Sequence, residues 1–78
     1  MYKITVYTAP GCPYCVKVKS YLRELGLKFT EVDVSKSQKD AEKLVRRTGQ
    51  TGVPVVEIGN QLVIGFDRAR IDKLLGVR

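Results

Sequence analysis

The fold of this chain is decided at residues 2–15, which read YKITVYTAPGCPYC. Residues 2–7 alternate with period two and are rich in β-branched and aromatic side chains, a pattern that predicts a strand. Pro13 fits the first position of a helix, where the missing N–H removes no helical hydrogen bond. The two cysteines, Cys12 and Cys15, are therefore predicted to lie where a strand gives way to a helix.

The next two elements follow from the spacing of apolar residues. After Pro13, apolar side chains recur at intervals of three and four as far as Leu25, which predicts a helix with one apolar stripe. Gly26 is suited to end this helix, because glycine readily adopts the left-handed conformation that a helix end needs. Residues 29–34 alternate again and predict a second strand.

The second half of the chain predicts a helix, a hairpin and a last helix. Ser35 and Gln38 fit a capping box, with Ser35 as the cap of the second helix and Gln38 at its third position. Gly59 and Asn60 form a two-residue turn signal between strands at 55–58 and 61–64. Asp67 is suited to cap a final helix.

The predicted order of elements is β-α-β-α-β-β-α. Two strands joined through a helix should be parallel with a right-handed crossover, and the hairpin should add two antiparallel strands. The sequence therefore predicts a single α/β domain over residues 1–78, with a four-stranded mixed sheet flanked by three helices. A chain of 78 residues is long enough for one small core.

Composition narrows the classes of function. No run approaches the roughly 20 apolar residues that cross a bilayer. The start of the chain lacks the features of a secretory signal, so we expect a cytoplasmic protein without membrane contact. We also expect a monomer. The net charge is +6, but the basic residues are spread over the predicted helices and are not interleaved with aromatic residues. Nucleic-acid binding is therefore not expected.

The position of the cysteine pair indicates redox chemistry. A thiolate at Cys12 would lie at a helix N-terminus, where unpaired amides and the helix dipole stabilise an anion. Lys17 and Lys19 are expected to add positive potential. Cys15 lies on the apolar stripe and should be less exposed. We expect Cys12 to attack a target disulfide and Cys15 to resolve the resulting mixed disulfide.

Other uses of two cysteines are less favoured by the sequence. A closed structural zinc site needs four ligands, and this chain has two cysteines and no histidine. The absence of histidine also excludes a cysteine–histidine hydrolase. A disulfide staple across so short a loop would constrain the unfolded chain little. We therefore expect no bound metal.

These residues resemble the glutaredoxin family along almost the whole chain. The matching segments are Val6-Tyr7-Thr8, Cys12-Pro13-Tyr14-Cys15, Thr51-Gly52-Val53-Pro54 and Gly65-Phe66-Asp67. The resemblance implies a thioredoxin fold and a dithiol thiol–disulfide oxidoreductase with no bound cofactor. It also implies a cis peptide bond before Pro54, and glutathione as reductant or co-substrate.

The same resemblance implies a set of substrate-binding residues. The backbone of Val53 is expected to pair with an extended peptide or with glutathione. Asp67 is expected to hold the amino end of glutathione in addition to capping the last helix. The full set comprises Pro13, Tyr14, Gly52, Val53, Pro54, Gly65, Phe66 and Asp67.

The electron donor remains open between two partners. Glutaredoxins often carry a lysine where this chain has Ala9, and paired glycines where it has Ile64 and Gly65. The Gly65-Phe66 step resembles small redoxins that are reduced by thioredoxin reductase without glutathione. A third alternative is an iron–sulfur carrier, which Pro13 and Cys15 disfavour. In the first two cases the expected substrates are protein disulfides or mixed disulfides of glutathione.

Overall fold

The structure is a computed structural model that describes residues 3–49 and 53–76. Its elements, in chain order, are β1 (Ile4–Thr8), α1 (Pro13–Glu24), β2 (Thr30–Asp33), α2 (Gln38–Thr48), β3 (Val55–Ile58), β4 (Gln61–Ile64) and α3 (Arg68–Leu75). This order confirms the predicted β-α-β-α-β-β-α arrangement. None of the described helices is long and apolar enough to span a membrane.

The four strands form one mixed sheet in the order β2-β1-β3-β4. β1 is parallel to β2 and antiparallel to β3, and β3 is antiparallel to β4. Tyr7, near the end of β1, is paired with Val55, at the start of β3. The loop that follows β1 and the segment that precedes β3 therefore meet at the same edge of the sheet. The two cysteines lie in the first of these connections.

The sheet is covered on both faces. The main core lies against α1 and α3, and its fully buried members include Val6, Leu22, Val56 and Ile71. A smaller cluster of Tyr7, Leu44 and Val55 lies under α2 on the other face. Alternation along β1 explains this division, because successive side chains of a strand point to opposite faces.

The first helix ends as its sequence predicts. Gly26 has a φ of 73°, and its amide donates to the carbonyl of Arg23 at 2.9 Å. The amide of Leu27 donates to the carbonyl of Leu22 at 3.1 Å. These are the two hydrogen bonds of a Schellman motif, which satisfy carbonyls left open at a helix end.

The start of the second helix differs from the prediction. Its cap is Ser37, whose hydroxyl oxygen accepts a hydrogen bond from the Asp40 amide at 3.3 Å. Ser35 is not the cap, because the carboxylate of Asp33 accepts hydrogen bonds from its amide and its hydroxyl. The predicted capping box of Ser35 and Gln38 is therefore wrong, since Ser35 belongs to the turn after β2.

Tyr21 links α1 to α3. Its side chain is buried, and its hydroxyl donates a hydrogen bond to Asp72 on α3. The guanidinium of Arg68 lies 4.7 Å from the Tyr21 ring centroid, and the Phe66 ring meets the Tyr21 ring edge-on at 6.1 Å. These contacts fix the beginning of α3 relative to α1.

Replacing Tyr21 with phenylalanine should lower the free energy of unfolding by about 1 kcal/mol, because Asp72 loses a donor while ring packing is kept. Urea unfolding of the reduced protein measures this change. Tyr14→Phe is the matched control, since the Tyr14 side chain is exposed, and it should leave stability unchanged. An equal midpoint for Tyr21→Phe and the unaltered protein would contradict the role of this link.

Candidate active site

Cys12 occupies the cap position of α1. Its backbone is extended, with φ −98° and ψ 104°, and its sulfur accepts a hydrogen bond from the amide of Cys15 at 3.2 Å. Gly11, with a φ of 76°, makes the turn that leads into this position. Cap side chains satisfy amides at the helix start, where negative charge is favoured. The arrangement therefore suits a thiolate at Cys12.

Cys15 has a different environment from Cys12. It is only 2% exposed, whereas Cys12 is half-buried. Burial raises the pKa of the Cys15 thiol to about 11, and hydrogen bonding to Cys12 adds to this effect. At neutral pH Cys15 is therefore a protonated thiol, and Cys12 is the more accessible of the two sulfurs. Both cysteines are free thiols in the structure.

The segment before β3 also lies beside Cys12. The peptide bond between Val53 and Pro54 is cis, as the resemblance implies. The Cys12 thiol is directed at the carbonyl oxygen of Val53, with 3.8 Å between the sulfur and the oxygen. The carbonyl of Pro54 accepts a hydrogen bond from the Gly65 amide at 2.8 Å. This bond brings the connection between β4 and α3 close to the same place.

Three of the other predicted binding residues are exposed at helix starts. Pro13 and Tyr14 are exposed at the start of α1, and the ammonium of Lys17 lies 5.1 Å from the Tyr14 ring centroid. Asp67 is exposed and caps α3, accepting a hydrogen bond from the Arg70 amide at 3.1 Å. The cap predicted for Asp67 is confirmed.

The predicted set also includes Phe66 and Gly52. Phe66 is half-buried and packs against the core shared by α1 and α3, with its ring against Tyr21. Its ring therefore contributes to the placement of α3. Gly52 lies outside the described residues.

Both cysteines line a groove of about 590 Å³ that extends toward β2. Pro10 and Val16 contribute apolar surface to it, and Lys19 and Glu31 contribute charges. The Lys19 ammonium lies 2.7 Å from a carboxylate oxygen of Glu31. This hydrogen-bonded ion pair lowers the pKa of the Glu31 carboxyl. The sequence predicted positive potential from Lys19 but gave no indication of its acidic partner, which the pairing of β1 with β2 brings near.

The chemistry available to this site is thiol–disulfide exchange. Two sulfurs lie within one helical turn, one accessible at the helix start and the other buried behind it. Within residues 3–49 and 53–76, no cluster of three or more histidine, cysteine or acidic side chains is placed to hold a metal ion.

Comparison with known proteins shows which chains this one is similar to. The glutaredoxin family model matches residues 4–63. A glutaredoxin-like 8.6 kDa protein from the rubredoxin operon of Clostridium pasteurianum is 39% identical, over 92% of this chain and 96% of its own length. N-acetyl-S-hydroxy-L-cysteine reductase of Bacillus subtilis is 46% identical, over 72% of this chain and 60% of its own.

Solved structures show the same similarity. A thioredoxin-like protein, solved as a mutant, has a TM-score of 0.90 and 33% identity, with both chains covered completely. The NrdH-redoxin of Escherichia coli, described as a glutaredoxin-like protein with a thioredoxin-like activity profile, has a TM-score of 0.83 and 32% identity. The match covers 92% of this chain and 93% of that one.

The burial of Cys15 predicts a distinct pH dependence of alkylation. In a Cys12→Ser variant, which keeps the burial of Cys15 but loses the contribution of the Cys12 thiol, iodoacetamide should modify Cys15 slowly at about pH 8 and faster as the pH rises. Burial alone keeps the thiolate fraction at about pH 8 below that of an ordinary cysteine. Mass spectrometry follows the reaction, with Cys15→Ser as the rapidly modified counterpart. A rate that levels off below about pH 9 would contradict the assignment.

Proposed function

The chain belongs to the glutaredoxin family and is a thiol–disulfide oxidoreductase, and we propose that it carries electron pairs to disulfides through Cys12 and Cys15. The observation that carries this proposal is the hydrogen bond between the Cys15 amide and the Cys12 sulfur, 3.2 Å long. The Cys12 sulfur lies at a helix start with a second thiol one turn away, which supports exchange at this pair. The substrates proposed are protein disulfides and mixed disulfides of glutathione.

The proposed cycle has two displacement steps. The Cys12 thiolate attacks one sulfur of the target disulfide, forming a mixed disulfide while the other sulfur leaves with the electron pair and takes up a proton. Cys15 then loses its proton and attacks the Cys12 sulfur, which releases the second target thiol. The protein is left with a Cys12–Cys15 disulfide, having given two electrons to the target. A donor dithiol, or two donor thiols, then reduce it again.

Substrate recognition is proposed to run along the Val53 backbone. The Val53 carbonyl lies beside the Cys12 sulfur, so a chain paired with this segment would bring its own sulfur to Cys12. Main-chain pairing of this kind accepts many side chains. Tyr14, with 55% of its surface exposed, would border the bound chain. Pro54 is proposed to shape the same segment, and Gly65 its neighbour.

Glutathione is the proposed electron donor. The carboxylate of Asp67 is exposed at the start of α3. Asp67 follows Gly65 by two residues, and the Gly65 amide donates a hydrogen bond to the carbonyl of Pro54. A carboxylate there would attract the ammonium group of glutathione. Its second oxygen is not needed for the cap, since one oxygen accepts the Arg70 amide.

Thioredoxin reductase is the second candidate donor. Ile64, which is 49% exposed at the end of β4, stands where glutaredoxins usually carry a glycine, and this departure weakens the case for glutathione. The similarity to a redoxin with a thioredoxin-like activity profile supports the same candidate. With either donor, the site must be kept reduced between turnovers, which fits the cytoplasm. A monomer would suffice for either cycle, since both sulfurs come from one chain.

The donor is tested by reducing the oxidised protein in two NADPH-coupled systems. One contains glutathione and glutathione reductase, and the other contains thioredoxin reductase alone. We expect faster turnover with glutathione, and none in Cys12→Ser. Turnover confined to thioredoxin reductase would replace glutathione by the second candidate. If neither system reduced the protein, the electron-carrier proposal itself would be rejected.

The same assay includes a variant of the proposed glutathione contact. Asp67→Asn keeps a good helix cap but removes the negative charge. It should raise the KM for glutathione by about 1.5- to 5-fold with little change in kcat, the size expected for an exposed ion pair. Asp40→Asn, on α2, is the matched control. Equal KM values for Asp67→Asn and the control would exclude a charge contact at Asp67.

A further inference from the structure

The resolving step of the proposed cycle requires a thiolate from a buried thiol. Cys15 is 2% exposed and protonated at neutral pH, yet it must lose its proton before it can attack the mixed disulfide. This inference rests on the proposed function, because it concerns how Cys15 performs that step. The charged groups near Cys15 determine how readily this thiolate forms.

Among the described residues, the charged groups that line the groove with Cys15 are Lys19, Glu31 and Asp33. Lys19 lies four residues farther along α1, one helical turn away, so that the two side chains share a helix face. From β2, Glu31 and Asp33 line the same groove as Cys15 and Lys19. Cys12 and the Ala9 backbone also act on the Cys15 thiol, and Thr8 lines the same groove.

We propose that Lys19 is a positioning residue for the resolving step, favouring the thiolate of Cys15, and that Glu31 opposes it by holding and neutralising the ammonium. The Lys19 side chain is only 19% exposed, and its ammonium lies 2.7 Å from Glu31. Glu31 also accepts a hydrogen bond from Thr8, at 3.4 Å, which fixes the carboxylate at the edge of β1. The pair is therefore held in the groove beside the sulfurs.

The electrostatic signs of the two groups are opposite. A positive charge near Cys15 stabilises its thiolate, and Lys19 accordingly acts to lower the pKa of this thiol against the larger effect of burial. A carboxylate bonded to that ammonium reduces its field and repels a developing thiolate. Asp33 adds a second negative charge in the groove and also interacts with Lys19, but its carboxylate is hydrogen-bonded to Ser35 and not to the ammonium. The opposite charges of Lys19 and Glu31 thus determine how readily the Cys15 thiol forms a thiolate.

In the resolving step, the proton of Cys15 passes to solvent and its sulfur attacks the Cys12 sulfur. The bond between Cys12 and the target sulfur breaks, and its electron pair leaves with the target as a thiolate that takes up a proton. Lys19 takes no proton and forms no bond. Its contribution is the field in which the Cys15 thiolate forms.

The first test measures Cys15 without the proposed cycle. In the Cys12→Ser background, the pH profile of Cys15 alkylation should move to higher pH with Lys19→Gln and to lower pH with Glu31→Gln. At a fixed pH of about 8, each change should alter the rate by about 1.5- to 5-fold, the range of partly exposed charge pairs. Lys19→Arg should restore the profile. Lys43→Gln, on α2 at the opposite face of the sheet, controls for net charge.

The second test follows the resolving step itself. Reaction of the reduced dithiol protein with 5,5′-dithiobis(2-nitrobenzoate) releases one thionitrobenzoate when Cys12 attacks and a second when Cys15 resolves. Lys19→Gln should slow only the second release, and Glu31→Gln should accelerate it. Absence of the second release in the unaltered protein would reject the proposed function. A normal second release that neither substitution changes would reject this inference alone. A slower second release in Glu31→Gln would also overturn it, because Glu31 would then act as a base.

Discussion

The hydrogen bond from the Cys15 amide to the Cys12 sulfur is the contact on which the site depends. It exists because Pro13 begins a helix directly after Cys12, so that the cysteine becomes the cap and its sulfur faces the first turn. The sheet order then sets what lies opposite. Since β1 is paired with β3, the Val53-Pro54 segment comes to the same edge, and the Val53 carbonyl lies near the capping sulfur.

The same helical turn makes the two thiols unequal. One turn of α1 carries the chain from an accessible cap to the apolar stripe that faces the core, and Cys15 shares that stripe with Val18 and Leu22. Burial there raises the pKa of the Cys15 thiol. A dithiol carrier needs this difference, because one sulfur must attack the target disulfide and the other must react only after the mixed disulfide has formed. The charges of Lys19 and Glu31 act on the sulfur of Cys15, whose ionisation burial opposes.

The sequence predicted the parts of this arrangement that depend on local patterns. The helix after Cys12, the ending at Gly26 and the cap at Asp67 each follow from residues within a few positions of one another. Ser35 was misassigned because two serines compete for one cap, and the choice depends on a side-chain contact with Asp33. The ion pair of Lys19 with Glu31 and the packing of Phe66 on Tyr21 join distant segments, so no local pattern could reveal them.

The central claim, that the capping sulfur attacks and the buried one resolves, is tested most directly with the two single-cysteine variants. Each is incubated with glutathione disulfide near neutral pH, and mass spectrometry follows the formation of the mixed disulfide. The account predicts that Cys15→Ser accumulates a stable adduct on Cys12, while Cys12→Ser reacts far more slowly. Equal rates in the two variants, or faster reaction at Cys15, would contradict it.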